Sequence, residues 1–197
     1  SMPFVAQSTT ADGCQCSELQ ILQAINQNVS ALGNALVNQS KRVSVVSFTR
    51  PNDTPTYDAL DVVGVAAGTP LQFTNIGPTG GGVVFLTALG LRIDAAAIPA
   101  GMGGFRLHLY NQLPSSIADA AAFNIPVADR LLYLGFIELP TPLDLGATLW
   151  AETEAQFYAV RKEVNLVSSS VWAHLQTING YIATASVVKS LTLASVE

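Results

Sequence analysis

Apolar residues recur along this chain in two different rhythms. Between Ser17 and about Ser40 the interval is three or four residues, with Leu22, Ile25, Val29, Leu32 and Leu36 in series. That spacing gathers them into one stripe of a helix, and it is also a heptad seam. Ser17 supplies an N-cap, and Glu18 puts a negative charge in the first turn, where the helix dipole favours it. The other face (Gln23, Asn26, Gln27, Ser30, Asn34) is polar and uncharged. Two readings stand side by side: an amphipathic helix packed on its own domain, and a short coiled coil that joins subunits. Gly33 costs a helix about 1 kcal/mol relative to Ala and also lets two backbones approach closely.

After Lys41-Arg42 the rhythm becomes period two, the signature of strands with one buried face. Val43–Phe48, Leu71–Ile76, Phe105–Tyr110 and Val171–Thr177 alternate in this way. Val83–Ile93 alternates less cleanly and reads as a long buried strand. Leu131–Ile137 is almost wholly apolar and reads as a central strand ended by Pro140 and Pro142. Leu149–Thr153, Gln156–Val160 and Tyr181–Val188 read as further strands, and Leu191–Leu193 as an extension or a pairing segment. Gly77–Gly82 and Asp94–Gly104 are loops. The Ala-rich stretch Ile117–Phe123 reads as one or two helical turns. Roughly eight strands with turns at short intervals predict a mainly β protein: an antiparallel β-sandwich or jelly roll with an N-terminal helix. The expected organisation is a flexible tail over 1–16, a helix over 17–42 for oligomerisation or anchoring, and a β-sandwich domain over 43–197.

Composition sharpens this picture. At 197 residues the chain can bury a self-sufficient core. Charged residues are only 12% and apolar residues 49%, so part of the apolar surface is expected to be covered by other subunits or by a large Ala/Val/Leu core. The net charge is −5, and no run of Lys or Arg exceeds two residues, which argues against nucleic acid as a partner. The apolar runs fall short of a membrane span, and the first residues lack the order of a secretory signal. Cys14 and Cys16 are too close for an unstrained disulfide and supply only two metal ligands. They are read as unpaired, with a bridge between chains as a further option. No metal or other cofactor is expected.

The candidate chemistry is sparse. Glu152 and Glu154 would share a strand face, and two carboxylates about 5 to 9.5 Å apart can cleave a glycosidic bond. A solvated strand face explains the pair equally. Asp53, Asp58 and Asp61 have oxygen ligands suited to calcium, but turn and capping bonds account for all three. In Phe105–Tyr110, alternation sets Arg106 and His108 on the face opposite Phe105, Leu107 and Leu109, so His108 is expected to face solvent or a neighbouring subunit. No serine elbow, His-Glu-x-x-His or phosphate-binding glycine loop is present. No catalytic residue is assigned, and the chain is read as not an enzyme.

One segment carries more information than its period. Phe48 to Gly64 reads FTRPNDTPTYDALDVVG. Pro51 and Pro55 lack amide donors and force a corner, and Tyr57 is read as covering the core edge with its hydroxyl tying down the loop. This segment resembles Arg-Pro-x-Asp-Thr-x-x-Tyr-x-x-x-Asp-Val-Val stretches of structural proteins of tailed bacteriophages. A looser similarity extends over Phe105–Tyr110 and Leu131–Leu139. The resemblance implies a head-decoration or accessory capsid protein, acting in the virion as a symmetric homo-oligomer, with a trimer favoured and the major capsid protein as a partner. Leu22, Ile25, Val29, Leu32 and Leu36 are the candidate oligomerisation residues. The alternatives are a tail or baseplate module that binds a receptor glycan through aromatics such as Tyr57, Trp150 or Trp172, and a glycan-cleaving enzyme.

Overall fold

A computed structural model describes residues 21–30, 41–153 and 162–197. The chain divides into two units, Ser1–Ser40 and Lys41–Glu197. In the first, residues 21–30 are helical, as the three-four spacing predicts. The second is an antiparallel β-sandwich, as period-two alternation over short strands predicts.

One sheet has the order β1 (Arg42–Thr49), β13 (Val188–Val196), β5 (Gly82–Ile93), β9 (Leu149–Glu152) and β8 (Leu143–Asp144). A further strand, β10 (Lys162–Leu166), pairs with the first half of β5, on the edge that β9 takes along the second half. The other sheet has the order β3 (Val62–Val63), β11 (Val171–Thr177), β6 (Phe105–Tyr110) and β7 (Tyr133–Leu139), with β4 (Leu71–Phe73) beside β11 as well. Two short strands, β2 (Thr56–Tyr57) and β12 (Tyr181–Ile182), form a separate ladder. All pairings are antiparallel.

The inward residues meet in one apolar cluster. Leu86, Leu89, Leu91, Leu191 and Leu193 come from the first sheet and Phe73, Leu107, Leu109, Val171 and Leu175 from the second. The imperfect alternation of β5 has a local cause. Leu86 pairs with Ser195 and Ala88 with Ala194, which leaves Thr87 as an extra residue. This bulge flips the phase, so Val84 and Leu86 point inward before it, and Leu89, Leu91 and Ile93 after it.

Three sequence expectations are corrected. The Ala-rich stretch Ile117–Phe123 is not helical. Its backbone is consumed by residues 60–62 instead: Ala120 N–H donates to Val62 O, Val62 N–H to Ala121 O and Phe123 N–H to Leu60 O. Ala120 also takes φ 57°, which no helix accommodates. The Leu131–Ile137 run is not a central strand. Among the described residues it pairs with β6 alone, and it begins at Tyr133, leaving Leu131 93% exposed. Tyr181–Val188 is not one strand, because after Ile182 the chain leaves the ladder and Ser186 takes φ 53°. Leu191–Leu193 pairs with its neighbours, one of the two readings the sequence offered. It lies in β13, between β1 and β5. Gln156–Val160 lies outside the described residues.

Candidate functional site

The Phe48–Gly64 segment folds around one guanidinium. Arg50 leaves β1 with its side chain fully buried. Its Nε–H donates to Tyr57 Oη at 2.6 Å, one Nη to Asp53 O at 2.7 Å, and the other to Asp53 Oδ1 at 2.6 Å and Asp119 Oδ2 at 3.0 Å. Tyr57 O–H in turn donates to Asp119 Oδ1 at 2.6 Å, which also accepts Gly64 N–H at 2.9 Å. Burial alone would lower the Arg50 pKa, but the bonds to Tyr57 and Asp53 and the charge of Asp119 outweigh it and raise it. Burial, then the bond to Asp119, holds the Tyr57 phenol well above its ordinary value. The Pro corner is stitched to the 183–187 segment by Ser186 N–H to Pro51 O and Ala183 N–H to Pro55 O. Tyr57 therefore ties down the loop as expected, but it is fully buried and offers no ring to a glycan. Asp61 accepts Asp58 N–H in a turn bond, as expected, whereas the Asp53 carboxylate is ion-paired with Arg50 instead.

Beside this cluster lies a second buried cation. Lys189 faces inward from β13 and is 2% exposed. Burial, then the Arg50 charge, lowers its pKa to about 8. It borders a cavity of about 10 Å³, lined also by Ile93, Met102, Tyr181 and Thr184, with room for a single water. The Tyr181 hydroxyl is buried and has no hydrogen-bond partner among the described residues.

The outer side of the second sheet carries a histidine pair, His108 opposite His174. Gln176 donates its amide to Leu60 O, which turns Oε1 toward His108. His108 Nε2–H then donates to Gln176 at 2.9 Å, and Nδ1 accepts from Tyr133 O–H at 2.9 Å. The ring of Phe123 stacks on His108 at 3.8 Å, and His174 Nε2–H donates to Ser115 O at 3.0 Å. The expectation that His108 faces solvent or a subunit is corrected: alternation set its face rightly, but residues 115–133 cover that face. Burial lowers the His108 pKa to about 4 and lowers that of His174 too. Among the described residues no serine hydroxyl or cysteine thiol is hydrogen-bonded to either ring; Ser115 takes part only through its backbone carbonyl.

An open hollow of about 100 Å³ lies on the outer face of the first sheet. Its floor is Ala88, Gly90, Thr192 and Ala194, and Trp150 lies over Gly90, where a Cβ would come within 3.1 Å of the ring. Trp150 Nε1–H donates to Glu152 Oε2 at 3.0 Å. Glu154 lies outside the described residues, as do Cys14, Cys16, Leu32 and Leu36. Leu22, Ile25 and Val29 are 61%, 51% and 60% exposed on their helix. Among the described residues, no three His, Cys, Asp or Glu side chains form a metal-holding group, and no helix is long and apolar enough to cross a membrane.

Sequence reasoning missed Asp119 and Lys189. The available signal was a single charge within an otherwise uncharged stretch, Ala118–Ala122 and Val187–Leu193 respectively.

No family model matches the chain, and neither does any curated protein. Among solved structures it is similar to an acidic stable capsid of Helicobacter pylori bacteriophage KHP30 (9% identity, 80% of this chain and 87% of that chain, TM-score 0.32). It is also similar to the CBM35 of Cellvibrio japonicus Abf62 (14%, 77% and 92%, TM-score 0.30) and to Sacbrood virus of honeybee (11%, 80% and 70%, TM-score 0.31). At these TM-scores none of the three carries an argument about function.

The buried clusters make two testable statements. Asp119→Ala strands the Arg50 charge and is expected to cost about 3–5 kcal/mol in urea unfolding, whereas Asp53→Ala, at a carboxylate 59% exposed, is expected to cost about 1 kcal/mol or less. Stability is also expected to depend on pH at both ends. His108 and His174 fold neutral, so stability present above about 6.5 falls as the pH drops toward 4, by about 3 kcal/mol from His108 alone. Lys189 folds with a lowered pKa, so the cost of its buried charge fades as pH rises from about 8. Urea midpoints are expected to climb between about pH 8 and 9.5, below the ordinary tyrosine range, and to stay flat there in Lys189→Met.

Proposed function

We propose that this chain is a structural, non-enzymatic protein of a tailed-bacteriophage virion, a decoration or accessory protein of the capsid. The observation that carries this reading is the role of the segment that resembles phage structural proteins. Arg50 and Tyr57 of that segment are buried and hydrogen-bonded to each other, with Asp53 bonded to Arg50 at the surface, and chemistry needs reactive groups that reach a substrate. A rigid sandwich with that corner suits a building block. In this reading the protein works as a homo-oligomer, with the trimer favoured, whose helices associate through Leu22, Ile25, Val29, Leu32 and Leu36. The major capsid protein is its platform, and no cofactor, nucleic acid or membrane takes part.

A second reading rests on the Trp150–Glu152 hollow. An indole face with an oriented carboxylate beside it suits the apolar face and hydroxyls of a sugar ring, as a receptor-binding virion module would need.

Polar substitution of Ile25 and Leu32 together is expected to lower the mass measured by light scattering to that of a species without the helix contact. An unchanged mass would remove the helix from the assembly. Antibody raised against the chain is expected to label the heads of the phage particles that carry it in electron micrographs. Labelling confined to tail tips would favour the glycan-binding reading, and particles free of label would overturn both.

A further inference from the structure

We propose that β1 is an assembly edge, on which two copies of this chain pair strand to strand in antiparallel to make one continuous sheet. The argument starts from how this fold treats its other sheet edges. Unpaired strand edges invite pairing with other chains, and proteins blunt them with short strands, charges, bulges or prolines. Here β8 and β3 are two residues long and β4 three. The free side of β10 begins with Lys162 and Glu163. In β7 the pairing shifts at Leu134, Gly135 takes φ 92°, and Glu138 forms an ion pair with Arg106.

In β1 only the first residue, Arg42, carries a charge, and it is ion-paired with Glu197. The strand runs eight residues, Arg42–Thr49, in unbroken register against β13 from Ser195 to Val188. From Val43 to Thr49 it has no charge, no proline and no bulge. No strand lies on its other side among the described residues. Arg50 N–H donates to Val187 O on the β13 side, so alternation turns the N–H and C=O groups of Val43, Val45, Ser47 and Thr49 toward the free edge. Val43 and Val45 are also 52% and 61% exposed, on the outer face that continues across Ala194 and Thr192.

The occupant follows from the same comparison. A strand that pairs here must offer a long, uncharged edge of its own. Among the described residues of a second copy, that edge is β1. An antiparallel pair of identical strands obeys a two-fold axis, so the contact closes on itself. Centred on Val45, the register sets Val45 against Val45, Val43 against Ser47, Ser44 against Val46 and Arg42 against Phe48, so no like charges face each other. This contact is independent of the helix seam, and the two would give separate two-fold and helix-mediated levels of assembly.

The test is made in the Ile25→Ser, Leu32→Ser background, so that the helix seam does not contribute. Sedimentation velocity is expected to find paired copies, and Val45→Lys is expected to halve their mass, while Val45→Thr keeps it. Val45 is largely exposed, so circular dichroism of the lysine variant should match the parent. Amide exchange adds a second readout, with the N–H groups of Val43, Val45 and Ser47 protected in the parent and released in Val45→Lys. Single copies in the parent background, mass unaltered by Val45→Lys, or fast exchange at those three amides in the parent would each overturn the proposal.

Discussion

A guanidinium taken fully out of water governs this fold. A buried charge is tolerated only when its partners are present with good geometry. Arg50 meets that demand by drawing on distant parts of the chain at once: Asp53 and Tyr57 from its own corner, Asp119 from the loop after β6, and Thr184 O from the segment between β12 and β13. The requirement fixes the path of three loops that would otherwise be free to vary. It accounts for the turn at Asp119-Ala120 in the Ala-rich stretch, which is bonded to residues 60–62 and brings Asp119 to its cation. It also sets the field in which Lys189 sits, with two cations and the Asp53 and Asp119 carboxylates in one neighbourhood.

The two faces of the sandwich wall are treated differently. Inward, apolar side chains interlock and the β5 bulge keeps them in phase on both sides of Thr87. Outward, the second sheet is covered by a loop that docks through neutral histidines, whereas the first sheet presents small residues, a flat indole and two exposed valines. Among the described residues the outer face of the first sheet is left uncovered, and that of the second is closed off by residues 115–133.

Strands whose apolar residues alternate over one core face were legible in the sequence: Phe105–Tyr110 and Val171–Thr177 stand where period two puts them, whereas of Leu71–Ile76 only Leu71–Phe73 is strand, and Asn75 takes φ 58°. Alternation tells which face a residue occupies and is silent on what covers that face, so His108 was placed on the right side and given the wrong surroundings. The corner at Arg50 was visible as a cluster of turn residues. Its purpose was not, because Asp119 lies 69 positions away, and pairings across such separations leave no periodic trace. Leu131–Ile137 misled for the opposite reason: hydrophobicity marks a strand as apolar but does not say how many neighbours it has.

The position of β13 bears on how the protein is made. This strand lies between β1 and β5, so the six-stranded sheet is split until residues 188–196 arrive. During synthesis, β1 therefore waits for nearly the whole domain to leave the ribosome before it finds its partner. Completion of this sheet is paced by the closure of a very long loop. A ribosome that stops short of Val188 would release chains whose β1 and β5 edges are both open, a product suited to clearance by chaperones and proteases rather than to slow repair.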